Sequence, residues 1–193
     1  MKLKGKVAVV TGGSRGLGRA IALGLAKEGA HIVVAARTEV EYKQLSGTIY
    51  ETVNEIRAFE QNALAVRCDV TDEQSVNQLI QVTVDQFGVI DVLVNNARVA
   101  FYRPILDTPL KRWELVIKLN LIGTFLCSKA VLPQMIKPKS GSIINISSLA
   151  ADERDEGTVP TEVAYAVSKA ALDRFTLEMA TEVGKYNIAV NAV

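Results

Sequence analysis

The sequence predicts one three-layer α/β/α domain built on a doubly wound parallel sheet, and three observations predict it. Short β-branched runs alternate with longer segments of helical spacing along the whole chain. The runs are apolar almost throughout rather than at every second residue, as in strands buried on both faces. No internal repeat, low-complexity segment or linker rich in Pro, Gly or Ser divides the 193 residues, and that length suits a single large core.

The first run, 6–11 (KVAVVT), leads through Gly12, Gly13, Gly16 and Gly18 into a helical segment at 17–29. The second, 31–36 (HIVVAA), is followed by helical spacing over 47–60, and the third, 63–67 (ALAVR), by helical spacing over 72–87. A fourth run at 90–94 (IDVLV) precedes the longest helical segment, 109–136. The fifth, 142–147 (SIINIS), precedes a helix over 162–183, and the sixth, 187–193 (NIAVNAV), closes the sequence. Right-handed crossovers between parallel neighbours then put helices on both faces of the sheet. Because Val193 falls inside the sixth run, we expect a C-terminal substrate-loop region to follow it in the natural protein, over the carboxyl edge where ligands bind.

Composition narrows the function by exclusion. With 49% apolar and 22% charged residues and a formal charge of +1, no global field favours nucleic acid or an anionic membrane surface. Cys68 and Cys127 match no metal or redox spacing, which predicts buried thiols in a reducing compartment and no metal site. No run of 18 uncharged apolar residues occurs, and residues 1–5 lead straight into a strand. The expectation is a cytoplasmic protein with no membrane or nucleic-acid partner.

Strand, glycine loop and helix in that order make a nest of backbone amides at a helix N-terminus, suited to a phosphate or pyrophosphate. Arg19 follows Gly18 where a Walker loop needs Lys-Ser/Thr, and the spacing also misses G-x-G-x-x-G. A glycine cluster of this kind can also be a turn with no ligand. The arrangement present, Thr11-Gly12, three residues, Gly16, one residue, Gly18, resembles the cofactor loop of the classical short-chain dehydrogenases/reductases. CDV (68–70), NNA (95–97), Asn120, NISS (145–148) and YAVSK (165–169) follow in that family's order and near its spacings, so the resemblance covers essentially the whole chain. It implies a Rossmann-like fold and a nicotinamide cofactor held by Gly12, Ser14, Arg15, Gly16, Leu17 and Gly18. It also implies a homodimer or homotetramer paired through the helices at 109–136 and 162–183. Extended, epimerase-like relatives carry T-G-x-x-G-x-x-G, and enoyl reductases separate Tyr and Lys by six residues. Neither pattern is met, since three residues lie between Tyr165 and Lys169.

Dinucleotide folds place an acid about 20 residues past the glycines for an NAD ribose, or an Arg for a 2′-phosphate. Here Ala36 stands at the acid's place, Arg37 follows it, and Arg15 sits inside the glycine loop. Two guanidinium groups converging on one phosphate form charge-assisted hydrogen bonds, so NADP(H) is expected in preference to NAD(H). Two merely solvated arginines are the alternative, and Glu39 would reverse the expectation if its loop folded it onto the ribose. The resemblance further implies Asp69 and Val70 at the adenine, with Asn96 and Ala97 beside the adenosine ribose. One departure stands out: the family's Asn-Asn-Ala-Gly reads Asn95-Asn96-Ala97-Arg98, and Arg98 needs either a permitted φ or a shifted loop.

Tyr165 and Lys169 are four residues apart in a helical segment and so share one face. A tyrosine titrates at about pH 10 in water, and a neighbouring ammonium favours its phenolate, which makes acid–base work near neutrality possible. By resemblance, Tyr165 gives a proton to the oxygen of a carbonyl substrate and Ser148 hydrogen-bonds that oxygen, with Ser147 the fallback. Lys169 tunes the tyrosine and binds the nicotinamide ribose, and Asn120 holds a water of the proton relay. The function implied is NADP(H)-dependent hydride transfer to a small carbonyl or from a secondary alcohol. The alternative is a non-catalytic NADP(H)-binding sensor or scaffold of the same fold. The segment between Ser148 and Tyr165 is long and carries Asp152, Glu153, Arg154, Asp155 and Glu156. It reads as a solvated charge run or as a preference for a cationic substrate. The stretch 37–50 is also long, as in a branch containing hydroxysteroid dehydrogenase-like proteins. His31 reads as structural, and Trp113, Phe125 and Met135 as core or subunit contact.

Overall fold

All six apolar runs become strands, in a computed structural model that describes residues 1–41, 46–152 and 163–193. They are β1 (Val7–Thr11), β2 (His31–Ala36), β3 (Ala63–Arg67), β4 (Val92–Asn95), β5 (Gly141–Asn145) and β6 (Ile188–Ala192). The helices are α1 (Gly16–Lys27), α2 (Ile49–Arg57), α3 (Glu73–Phe87), α4 (Leu110–Ile117), α5 (Gly123–Ile136) and α6 (Val163–Val183). Every strand pair is parallel, in the order β3-β2-β1-β4-β5-β6. This is the expected single three-layer, Rossmann-like domain. Strand order reverses between β1 and β4, and there the crossovers part and leave a crevice beyond the carboxyl ends.

The side-chain period of two sorts the core into two layers. Val9, Val33, Leu93 and Ile143 point to one face, where Val76 and Leu79 of α3, Cys127, Val131 and Met135 of α5, and Met179 of α6 cover them. Ala8, Val10, Ile32, Val34, Val92 and Val94 point to the other, against Ala22 and Ala26 of α1 and Val53 and Ile56 of α2. The sheet's far edge differs: Ile188 and Val190 are buried while Ala189 and Asn191 are exposed, so β6 is covered on one face only among the described residues.

The segment expected as one helix over 109–136 is continuous but carries a π-turn, Lys118–Ile122, between α4 and α5. Such an insertion turns the side chains that follow by the angle of one extra residue, and it is common at functional positions. Asn120 lies inside it, fully buried, and its carbonyl accepts the Thr124 hydroxyl at 2.9 Å. An 18-residue window of this helix has a mean hydropathy of 1.7, enough by composition to cross a membrane. Part of its apolar surface faces the core, since Leu119, Cys127, Val131 and Met135 lie in the sheet's first apolar layer, while Leu110, Ile122 and Phe125 are exposed. Of the three residues singled out there, Met135 is core, Trp113 half-buried and Phe125 exposed. His31 is structural as expected: its Nδ1 accepts the Asn62 N–H and its ring stacks on Phe87.

Candidate active site

The glycine loop is held from behind. The Thr11 hydroxyl accepts the backbone N–H groups of Asn96 and Ala97, at 3.0 and 3.1 Å, and donates to Val94 O at 3.2 Å. The Asn96 carboxamide donates to Thr11 O and Gly12 O, at 2.9 and 3.2 Å. These bonds pin the ends of β1 and β4 together at the switch point. A Cβ on Gly18 would stand 2.2 Å from Gly12 O and 2.4 Å from Asn96 Nδ2, so only glycine lets α1 start this close to the loop. Gly16 is different: its φ is +52° and nothing lies within 4 Å of where a Cβ would be. The space that Gly16 faces is open and, among the described residues, no side chain caps the N-terminus of α1. Its free amides and positive dipole end therefore point at the crevice.

That crevice is a cleft of about 780 Å³. Gly12, Ser14, Arg15, Gly16, Leu17, Gly18, Arg37, Asp69, Val70, Asn96 and Ala97 all line it, so every residue expected at the cofactor apart from Tyr165 and Lys169 is gathered here. Arg15 is aimed by a 3.1 Å bond from Nη2 to Gly47 O. Arg37 Nη1 lies 3.7 Å from Asp69 Oδ2. Burial would raise the Asp69 carboxyl, but bonds from the Thr71 N–H and hydroxyl, at 3.0 and 2.8 Å, outweigh it together with the charges of Arg37 and Lys118. The net effect holds the carboxyl below its ordinary range. Glu39 is turned away, accepting the Tyr50 hydroxyl at 3.0 Å and lying 3.3 Å from Arg67 Nε. An uncapped helix end, open space at Gly16 and cationic walls fit a dinucleotide phosphate.

Outside the residues that line this cleft, Tyr165 and Lys169 rise from one face of α6, both buried. Lys169 Nζ donates to Ile146 O and stands 5.6 Å from the centre of the Tyr165 ring. Burial, and then the charge of Arg98, push its ammonium down to about 8 against the pull of Asp173. Asn120 Nδ2 donates to Val99 O and to Ser168 Oγ, both at 3.0 Å, while its Oδ1 accepts the Val99 N–H at 2.9 Å. The Ser168 hydroxyl in turn donates to Tyr165 O at 2.7 Å. Ser148 Oγ accepts the Ala150 N–H at 3.3 Å, whereas Ser147 Oγ is buried with no partner among the described residues.

A family model described as short chain dehydrogenase matches residues 6–193. The chain belongs to the short-chain dehydrogenase/reductase family. It is 42% identical over 192 residues to hydroxysteroid dehydrogenase-like protein 2 of Pongo abelii, matching all of this chain and 45% of that protein. It is 43% identical over 191 residues to the 3-oxoacyl-[acyl-carrier-protein] reductase of Synechocystis, matching 99% of this chain and 73% of that one. Among solved structures, NAD+-bound xylitol dehydrogenase superposes with a TM-score of 0.89 at 34% identity, over all of this chain and 70% of that one. The chain thus spans less than half the length of the hydroxysteroid dehydrogenase-like relatives.

Within this short-chain dehydrogenase/reductase fold, Arg98 keeps an ordinary backbone, since Glu60, Lys139 and Asn187 are the non-glycine residues with positive φ among those described. The missing glycine therefore costs no strain, and the Arg98 side chain lines the cleft instead. Of the long charged segment, Asp152 is exposed and Glu153, Arg154, Asp155 and Glu156 lie outside the described residues. Sequence reasoning passed over Thr11, Ser168 and the buried ladder Ser128–Asn95–Asn145–Thr176, whose bonds measure 3.1, 2.9 and 2.8 Å. Thr11, Asn95, Asn145 and Ser168 sit inside motifs already read for other residues, and Ser128 and Thr176 sit in helical segments that carry no motif. Polar side chains at strand ends facing a helix are the pattern that would find them.

Proposed function

We propose that the chain is an NADP(H)-dependent oxidoreductase that moves hydride between the nicotinamide and a small carbonyl or secondary alcohol, with Tyr165 as general acid and base. The nicotinamide supplies or accepts the hydride. Tyr165 gives its phenolic proton to the carbonyl oxygen as negative charge builds there, and recovers it in the reverse direction. Ser148 donates a hydrogen bond to the same oxygen. Lys169 has three donors and commits one to Ile146 O, which leaves two for ribose hydroxyls and a positive charge beside the phenol ring. Asn120, fixed by Val99 and Ser168, orders the relay behind them.

What carries this reading is the buried Tyr165 ring with Lys169 Nζ 5.6 Å from its centre, packed beside an Asn120 side chain fixed by Val99 and Ser168, next to a glycine-lined cleft. Buried polar groups fully paired to one another are expensive to assemble by accident. Arg15 and Arg37 in the cleft wall support NADP(H), as does Glu39 tied off the ribose. Free, buried Cys68 and Cys127 support a reducing compartment such as the cytoplasm. Exposed Ile122, Phe125, Val167 and Leu177 on the two longest helical segments support a two-fold homo-oligomer. Titration with NADPH and NADH, with a screen of small ketones, diketones and quinones, tests the reading. Tighter NADPH binding with oxidation on at least one carbonyl is the expected result. Binding without turnover on any of them would favour a sensor or scaffold.

A further inference from the structure

The outer end of the cleft holds a cation that neither the glycine loop nor the Arg37 position accounts for. Arg67, the last residue of β3, lines the cleft beside Arg37, Thr38 and Asp69. Register explains why: β2 and β3 pair in parallel with Ala36 opposite Arg67, so the residue before Arg37 and Arg67 end their strands side by side. Arg67 is not left to wander. Its Nε lies 3.3 Å from Glu39 Oε2, and Glu39 Oε1 accepts the Tyr50 hydroxyl at 3.0 Å. The hydrogen bond to Glu39, and then the Glu39 charge, push the Tyr50 phenol up, so Tyr50 stays a donor at any ordinary pH. Glu39 itself does not line the cleft, whereas Arg15, Arg37 and Arg67 do.

From this geometry we propose that Arg67 is a further 2′-phosphate-binding residue, aimed by the Glu39–Tyr50 pair; the inference rests on the NADP(H) reading above. Exposed ion pairs contribute little, so a guanidinium that is 69% exposed can share itself between Glu39 and a dianion at small cost. A phosphate has oxygens enough for several charge-assisted bonds, and the planar Arg fork suits it better than an ammonium does. Glu39, paired with Arg67 and hydrogen-bonded by the neutral Tyr50 phenol, repels the phosphate less than an unpaired carboxylate at that distance would.

Dissociation constants for NADPH and NADH, read by nicotinamide fluorescence on wild type, R67Q and R67K, test this. R67Q is expected to weaken NADPH about tenfold and to leave NADH within about twofold, the loss of one charge-assisted hydrogen bond. R67K is expected to fall between, and NADPH binding by R67Q to depend less on salt than that of wild type. A wild-type preference for NADPH that R67Q leaves within about twofold overturns this proposal alone. Equal loss of NADPH and NADH, with an unchanged Tm, also overturns it and makes Arg67 a general cofactor contact. A wild type with no preference for NADPH overturns the NADP(H) reading and this proposal with it.

Discussion

The cleft and the buried polar group beside it are built on opposite physics. At the phosphate end the contacts offered are backbone amides and solvent-exposed guanidinium groups, and each charged pair there is long or exposed. Around Tyr165 and Lys169, the buried Asn120 and Ser168 side chains are bonded to each other, to Val99 and to the main-chain carbonyl of Tyr165, at 2.7–3.0 Å. The phosphate end can adapt to whichever ligand carries the charge. The acid–base group is fixed before any ligand arrives, and it bears the cost of desolvating Lys169. On the function proposed above, a cofactor preference is therefore expected to be easy to alter by surface substitution, and the acid–base group hard to alter without losing it.

Substitutions at the rigid end should have the largest effect. Tyr165→Phe removes the proton donor and little else, and is expected to lower kcat by about 100-fold or more with NADPH binding retained. Normal turnover in this variant would end the assignment. Next come the adjacent serines. Ser148→Ala is expected to cost about 100-fold in kcat, the value of a lost hydrogen bond to a developing oxyanion. Ser147→Ala should leave kcat near wild type and shift stability by less than about 0.5 kcal/mol, since the buried Ser147 hydroxyl has no partner among the described residues. The reverse ranking, in steady-state kinetics alongside thermal melts, would exchange their roles.

The adaptable end has one inflexible part, and Gly18→Ala probes it. The added Cβ meets backbone 2.2 Å away, so the loop or the helix must move. Destabilisation of about 1–3 kcal/mol and loss of NADPH binding are expected; calorimetry with cofactor titration would reveal a tolerated methyl group instead. The smallest effect sharpens the electrostatic contrast. Lys169 titrates at about 8 in the folded chain against 10.5 in the unfolded one, so below pH 8 both states are protonated and the buried charge costs stability in full. Between about pH 8 and 10.5 the unfolded chain binds the extra proton, and folding stability rises with pH. The Tm of wild type should therefore gain on that of Lys169→Met over this window. Parallel Tm curves across it would mean that Lys169 is not desolvated as described.

Near-continuous β-branched runs alternating with helical spacing were enough to indicate six strands, their parallel pairing and the helices between them, since burial on both faces of the central strands favours that arrangement. Glycine spacing likewise marked the loop that lines the cleft, since a missing Cβ is a local property that a sequence states outright. Tertiary packing settled what depends on distant partners. It placed a π-turn around Asn120 inside a helix that reads as regular, and tied the Asn96 carboxamide to the glycine loop as well as to the cleft wall. Tertiary contacts also turned Glu39 toward Arg67 and Tyr50, gave Arg98 an unstrained backbone, and left β6 alternating at a sheet edge covered on one side. Periodicity records how much of a side chain is buried. It carries no record of which polar atom, tens of residues away, will meet it there.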